Sequence, residues 1–233
     1  MESMVEAIQQ MVKGADESGR KKLIDTLSNL ILSIEGPQDV MMRVLLYYPF
    51  KDKAQDMDPN QVFFVDIGGG LGHQSLALRN ALPKTITNRI IVQDLPELME
   101  QVTKRLDIEY TAHNFWEIQP VKGARIYYMR NIIHDWPSDK AFEILQNIKP
   151  AMDNGSVLLI DEMVLPDIGV HWQATELDMA MMALLGSRER TRAQWNELIT
   201  QAGLKIHHIY QYTTSLNDSI IECILPDDSE EII

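Results

Sequence analysis

Residues 63–73 read Phe-Phe-Val-Asp-Ile-Gly-Gly-Gly-Leu-Gly-His, an apolar run that ends in an acid and continues into four glycines. This order of residue types predicts a buried strand followed by a tight turn. Glycine has no Cβ, so the backbone of such a turn can approach a ligand closely. A strand-to-helix turn without a ligand would use the same residue types. The stretch therefore predicts an α/β fold but does not by itself name a ligand.

The spacing of the glycines separates two classes of cofactor. A dinucleotide site favours G-x-G-x-x-G, and here the last position of that pattern is His73. Asp66 would also place a negative charge beside phosphates, whereas it suits a cationic ligand without them, such as S-adenosylmethionine (SAM). The D-x-G-x-G-x-G spacing of Asp66, Gly68, Gly70 and Gly72 resembles the SAM loop of class I methyltransferases.

A second acid follows at the end of the next apolar run. Residues 89–94 end in Asp94, 22 positions after Gly72. An acid about 20 residues after the glycines is placed to accept hydrogen bonds from ribose hydroxyls. Asp94 could also cap a helix that begins at Leu95-Pro96, because proline is favoured in a first turn. The two roles are compatible, and we include Leu95 in the predicted cofactor site.

Composition narrows the class of protein and its partners. The chain has 233 residues, with 21 basic and 34 acidic side chains and a formal charge of −13. This charge argues against nucleic acid or an anionic membrane as a partner. The single cysteine, Cys223, excludes a disulfide within the chain and favours a reducing, cytoplasmic compartment. No apolar run reaches the ~18 residues of a membrane span.

Residues 1–60 predict a helical N-terminal region. Apolar residues recur with helical spacing over 23–34, Gly36-Pro37 ends that pattern, and 37–46 predicts a second helix. Residues 51–60 predict a linker. The apolar faces of these helices need a cover, which the main domain, a second copy of the chain in a homodimer, or another protein could provide.

Residues 61–233 alternate between strand and helix patterns. Predicted strands lie at 62–67, 89–94, 108–113, 124–130 and 156–163, with helices at 73–82, 96–105, 138–152, 172–185 and 192–202. This alternation predicts a mostly parallel, Rossmann-like sheet with helices on both faces. Two last runs, 205–213 and 219–225, predict an antiparallel C-terminal hairpin. Ligands of such sheets bind at the carboxyl ends of the strands, where Asp66 and Asp94 fall.

A histidine follows the fourth predicted strand. Residues 130–137 read Arg-Asn-Ile-Ile-His-Asp-Trp-Pro, which places His134 on the ligand side of the sheet. A histidine pKa near neutrality suits proton removal. The same segment could instead serve only to cap the next helix, with Asp135 or Ser138 at its N-terminus.

Several segments taken together resemble the small-molecule O-methyltransferases of plants and fungi, a class I group that methylates phenolic and polyketide hydroxyls. They surround Gly68, Asp94, His134, Glu162 and Glu189, in the family's order, within residues 61–225. The resemblance implies a SAM-binding catalytic domain at 61–233, with His134 as the general base and Glu162 and Glu189 as acids that orient its imidazole. Without it, Glu162 would be a loop acid at a strand end and Glu189 a surface ion-pair partner.

The resemblance also implies further site residues and no metal. Cofactor contacts are assigned to Asn114, Phe115, Arg130 and Trp136, and substrate contacts to Met179, Met182 and Asp135. Asn114 stands where many relatives have an acid that accepts a hydrogen bond from adenine, and its amide oxygen can still accept one. The methionines and aromatic residues would otherwise be ordinary core side chains.

The predicted function is transfer of a methyl group from SAM to a hydroxyl of an aromatic or polyketide-like small molecule. Relatives carry a longer helical N-terminal region that forms the dimer and covers the substrate pocket, and residues 1–60 resemble only pieces of it. Two alternatives therefore stay open. The protein could be a homologue that no longer methylates and binds a partner, or a cyclase or isomerase on the same scaffold.

Overall fold

The computed structural model describes Asp16, Gly19, Met41 and residues 44–103, 105–214 and 216–226. The chain divides into two compact units, Met1–Gly36 and Pro37–Ile233, and nearly all described residues belong to the second. The helix predicted at 23–34 and most of that at 37–46 lie outside the described residues. Met41 and residues 44–47 are helical.

The described part of the second unit contains an eight-stranded sheet. Its strands are β1 (Val62–Ile67), β2 (Arg89–Asp94), β3 (Glu109–Ala112), β4 (Ile126–Arg130), β5 (Val157–Leu165), β6 (Arg190–Thr191), β7 (Lys205–Gln211) and β8 (Asp218–Ile224). The order is β3-β2-β1-β4-β5-β8-β7, with β6 paired to the end of β5. Strands β1 to β5 are parallel, and β8 lies antiparallel between β5 and β7. This confirms the predicted mixed sheet and its C-terminal hairpin.

Helices and short turns connect these strands. They are α1 (Phe50–Lys53), α2 (His73–Ala81), α3 (Pro96–Met99), α4 (Ser138–Ile148), α5 (Trp172–Leu185) and α6 (Arg192–Gln201), with 3-10 turns at Ile133–Asp135 and Lys149–Ala151. Among the described residues, no helix is both long and apolar enough to span a membrane. The predicted helix at 96–105 is wrong beyond Met99, where the β-branched Val102 and Thr103 disfavour its continuation.

Both faces of the sheet are covered, which explains why β1 is buried at every position. On one face Val65 and Met129 belong to a core cluster that includes residues of α4 and α6. On the other face Phe64 and Tyr128 pack in a cluster that includes Phe50 and Leu78. Because β1 is flanked by β2 and β4, the strand order reverses there and opens a crevice at the carboxyl ends of the strands.

Candidate active site

The loop between β1 and α2 has the backbone geometry that its glycines permit. Gly68, Gly70 and Gly72 have φ angles of 69°, 58° and 80°, in the left-handed region. The N–H groups of Gly68 and Gly69 donate to the carbonyl oxygen of Gln93 on β2, at 2.8 and 3.1 Å. The loop is thereby held against the end of the neighbouring strand.

Asp94 closes this loop from β2. Its Oδ2 accepts the N–H of Gly70 at 2.9 Å, and its Oδ1 accepts the N–H of Leu95 at 2.8 Å. A carboxylate offers about four lone-pair positions, so Asp94 can still accept hydroxyl donors from a ligand. The alternative role as helix cap is wrong, because the N-cap of α3 is Leu95 and no side chain caps this helix.

Asp66 lies beneath the loop. It is 2% exposed, and its Oδ2 accepts the hydroxyl of Ser75 at 2.7 Å. Burial raises the pKa of Asp66 to about 6, while the Ser75 hydrogen bond opposes that rise. A Cβ at Gly69 would lie 2.6 Å from Cγ of Asp66. Asp66 thus fixes the loop from below, and Gly69, which the spacing argument left out, is the loop glycine whose Cβ would have the closest neighbour.

Replacing Gly69 with alanine should destabilise the protein. The added methyl would overlap the buried Asp66 carboxylate, and overpacking of this kind costs about 1–3 kcal/mol. Gly155→Ala is the matched control, because its nearest neighbour would be the flexible end of Arg125 at 3.3 Å. Urea unfolding measures both variants. Equal midpoints for Gly69→Ala and the wild type would show that the loop accommodates the methyl group with no loss in the free energy of unfolding.

Gly70 leaves the outer side of the loop open to a ligand. A Cβ at Gly70 would meet no atom within 4 Å, so the loop faces open space beside the Asp94 carboxylate. Leu71 and Leu95, both 47% exposed, add apolar surface. A ligand with a hydroxylated ribose could therefore be held by Asp94 and the backbone of this loop.

The other predicted cofactor residues lie near the ends of β3 and β4. Oδ1 of Asn114 accepts the N–H of Trp116 at 3.1 Å, so this amide oxygen already has a donor. Trp136 packs edge-on against Trp116, with ring centroids 4.7 Å apart, and against Phe115 at 6.3 Å. The aromatic residues form one partly buried group, as expected for a wall of the crevice.

Arg130 ends β4 above a buried acid that the sequence did not single out. Its Nη1 lies 3.8 Å from Oδ2 of Asp161 and has no hydrogen-bond partner among the described residues. Asp161 accepts the hydroxyls of Tyr128 at 2.5 Å and Tyr212 at 2.6 Å. Nη1 of Arg130 thus lies near the negative charge of Asp161 but makes no hydrogen bond.

His134 lies at the centre of the predicted catalytic group. It belongs to the 3-10 turn Ile133–Asp135, called the base turn below. Its Nδ1 is 2.9 Å from Oε1 of Glu189 and 3.6 Å from Oε2 of Glu162, and its Nε2 is 3.4 Å from Oδ1 of Asp135. The structure therefore brings the predicted base and both predicted acids together, with Glu189 as the hydrogen-bond partner of the ring.

Glu162 contacts the backbone of the turn more closely than the ring. Its Oε1 accepts the N–H groups of Ile132 and Ile133, both at 2.8 Å, and of His134 at 3.4 Å. Burial raises the pKa of Glu162 to about 7, while the charge of His134 and the backbone N–H groups counteract it. Glu162 thus holds the start of the base turn.

The surroundings of His134 favour its protonated form. Burial lowers its pKa, but the hydrogen bond to Glu189 and the neighbouring carboxylates together outweigh burial and raise the pKa from 6.5 to about 9. Three carboxylates surround one imidazole here. This arrangement stabilises the imidazolium that a general base forms when it takes a proton.

The segment 186–191 supplies contacts that sequence reasoning missed. The hydroxyl of Ser187 donates to the carbonyl oxygen of His134. Oδ1 of Asp178 on α5 accepts the N–H of Glu189 at 2.8 Å and so fixes the acid that holds the imidazole. Arg190, 1% exposed, donates to two carbonyl oxygens of the same region. No local pattern in the sequence indicates these roles.

A cavity of about 580 Å³ lies beside Glu189 and Met182. Its wall combines apolar and polar side chains: Pro137, Leu165, Val170, Thr175, Asp178, Met182, Ser187, Arg188, Glu189, Thr191 and Gln194. Met182 thus borders an open space. Met179 is 60% exposed, and neither it nor Asp135 lines this cavity.

The same catalytic group has the spacing of a cation site. Ligand atoms of His134, Glu162 and Glu189 lie within 4.8 Å of one another. Nδ1 of His134 is already paired with Glu189, and Oε1 of Glu162 is occupied by backbone N–H groups. The contacts are those of an acid–base pair, and we interpret the group in that way.

Comparison with known proteins identifies the family. The family model of the O-methyltransferase domain matches residues 53–205. The demethylsterigmatocystin 6-O-methyltransferase stcP of Emericella nidulans is 46% identical over 155 residues, which cover 66% of this chain and 76% of that protein. The chain therefore belongs to the O-methyltransferase family, whose methyl donor is SAM. It spans only 38% to 48% of other curated relatives.

Two solved structures share the fold. One, described as a pericyclic reaction enzyme, is 41% identical with a TM-score of 0.72, covering 78% of this chain and 48% of that one. The other, OxaC in complex with SAH and oxaline, is 32% identical with a TM-score of 0.71, covering 77% and 46%. These similarities confirm the predicted class I methyltransferase fold.

Proposed function

We propose that the chain is the catalytic part of a SAM-dependent O-methyltransferase that acts on a hydroxyl of an aromatic or polyketide-like small molecule. The observation that carries this proposal is the 2.9 Å pair between Nδ1 of His134 and Glu189, at the strand ends that also hold the glycine loop and Asp94. In this proposal the base, its orienting acid and the cofactor loop lie at one edge of the sheet.

The proposed chemistry assigns one step to each group. A phenol has a pKa near ~10 and is a poor nucleophile until a positioned base takes its proton. Glu189 holds Nδ1–H of His134, which leaves Nε2 to receive that proton. SAM, when bound, supplies a methyl group activated by the sulfonium. The three carboxylates around the ring then stabilise the imidazolium, while Glu162 keeps the turn in place.

The pH dependence of turnover tests the base directly. With a pKa of about 9, about 1% of His134 is neutral at pH 7, so kcat/KM should rise about tenfold per pH unit from pH 6 to 8 and level off near 9. Glu189→Gln removes the charge and hydrogen-bond partner that raise this pKa, so the inflection should fall toward 6.5 and the plateau should also drop. The exposed Glu197→Gln is the control.

The measurement is release of S-adenosylhomocysteine (SAH) against pH, with a panel of polycyclic phenols as acceptors. An inflection that Glu189→Gln leaves at about pH 9 would contradict the proposed pairing of Glu189 with the base. Mass spectrometry of the products establishes the reaction class, because methylation adds one methylene to the acceptor.

A second candidate function is a rearrangement that transfers no methyl group. It is favoured by the 41% identity to a solved structure described as a pericyclic reaction enzyme. Such a reaction leaves the product mass unchanged but alters its chromatographic retention. The same product analysis therefore separates the two functions. Absence of any product with folded, SAH-binding protein would favour a binding or assembly role.

We also propose that α5 is covered by a second copy of the chain or by a partner protein. Trp172 and Met179 on this helix are each 60% exposed. Large apolar side chains grouped on one helix are typical of an interface. The homodimer and the cytoplasmic location stay predictions, and sedimentation analysis of the purified chain tests the first.

A further inference from the structure

The base turn is held from two sides by groups of opposite charge. Glu162 accepts the N–H groups at its start, as described above. Arg190 contacts the other side: its Nη1 donates to the carbonyl oxygen of Ile133 at 3.0 Å, and its Nη2 donates to that of Trp136 at 2.7 Å. Ile133 is therefore fixed at both its N–H and its carbonyl group.

Arg190 is itself held rigidly. Its side chain is 1% exposed, and its guanidinium lies over the ring of Trp195, 5.3 Å from the centroid. Arg190 also begins β6, which pairs with the end of β5 through Val164. A planar guanidinium bound at two carbonyl oxygens fixes both distance and direction, which a lysine ammonium cannot do.

We propose that Arg190 is a positioning residue for the general base: by bridging the two carbonyl oxygens on either side of His134 it sets the place of the imidazole relative to Glu189. This inference rests on the proposed function of His134. Arg190 directly follows Glu189, so one short segment carries both the acid that holds the ring and the cation that holds its backbone. Substrate and cofactor need not touch Arg190.

Several charged groups face His134, and each of them affects the pKa that a titration of its ring measures. They are Asp135 on its own turn, Glu162 on β5, and Glu189 and Arg190 on the segment before α6, with Asp178 of α5 behind Glu189. Removing the positive charge of Arg190 would by itself raise the pKa of a nearby histidine. A fall in that pKa would therefore report that the ring has moved away from Glu189.

The test is NMR titration of the His134 ring in the wild type, Arg190→Gln, Arg190→Lys and the exposed control Arg192→Gln, with SAH-release kinetics on the same samples. We expect the wild type and Arg192→Gln to titrate at about pH 9. Arg190→Gln should titrate lower and lose about 100-fold in kcat, the cost of a displacement of about 1 Å. The KM for SAM should stay within about twofold.

Arg190→Lys keeps the charge but can bridge only one carbonyl oxygen, so its titration and kcat should lie between those of the wild type and Arg190→Gln. It decides the question if Arg190→Gln does not fold. A folded Arg190 variant with the wild-type titration and kcat would overturn the inference and leave Arg190 a stabilising role alone. A wild-type protein that titrates near 6.5 would overturn the pairing of His134 with Glu189, whereas undiminished transfer by His134→Gln would overturn the proposed base itself.

Discussion

Replacing His134 with glutamine should lower the rate of methyl transfer by about 10²–10⁴-fold, the usual contribution of a positioned general base. The affinity for SAH should change little, because His134 contacts Glu189, Glu162 and Ser187 rather than the glycine loop. Single-turnover assays and calorimetric titration with SAH measure the two quantities. The exposed His207→Gln is the matched control.

Undiminished transfer by His134→Gln would show that another group takes the proton. Loss of SAH binding in the same variant would show that the base turn also shapes the cofactor site. Only the combination of slow transfer and intact binding agrees with the proposed role. The residual rate should follow the ionisation of the acceptor phenol, with a pKa near ~10, since the histidine that controls the wild-type profile would be gone.

Replacing Asp94 with alanine should have the opposite effect and weaken SAH binding by about 100-fold or more. The variant loses the acceptor for the N–H groups of Gly70 and Leu95 as well as the expected contacts to ribose hydroxyls. Each hydrogen bond to a charged group contributes about 1.5–3 kcal/mol. Calorimetric titration with SAH measures the loss, and the exposed Asp139→Ala serves as the control.

Wild-type affinity in Asp94→Ala would mean that the ligand does not use this carboxylate. The glycine loop would then have to be assigned to another ligand or to none. Asp94→Asn is an intermediate variant, because its single amide oxygen can keep one of the two backbone contacts of Asp94. Its affinity should therefore lie between those of the wild type and Asp94→Ala.

The sheet could be predicted from the sequence because its signals are local. The apolar run before Gly68 and the run that ends in Asp94 carry the strand pattern within a few residues, and both strands have the predicted bounds. The predicted helix after Pro96 is too long, because where it ends depends on weak propensities in Gln101-Val102-Thr103. Local pattern thus gives element type more reliably than element length.

The geometry of the base could not be obtained in this way. His134 and Glu189 are 55 positions apart, and Arg190 and Ile133 are 57 apart, so no spacing rule relates them. Family resemblance named the base and both acids, but it gave the two acids the same role. The structure shows Glu189 on the ring and Glu162 on the backbone, and only a folded chain distinguishes the two.

The two tyrosine hydroxyls on Asp161 connect the C-terminal hairpin to the interior of the sheet. Tyr212 follows β7, beyond residue 205 where the family match ends, yet its hydroxyl lies on the acid that faces Arg130. A fragment cut at residue 205 would leave Asp161 buried without one of its two hydroxyl partners and without the β8 strand beside it. A fragment meant to keep the predicted active site should therefore extend through the C-terminal hairpin.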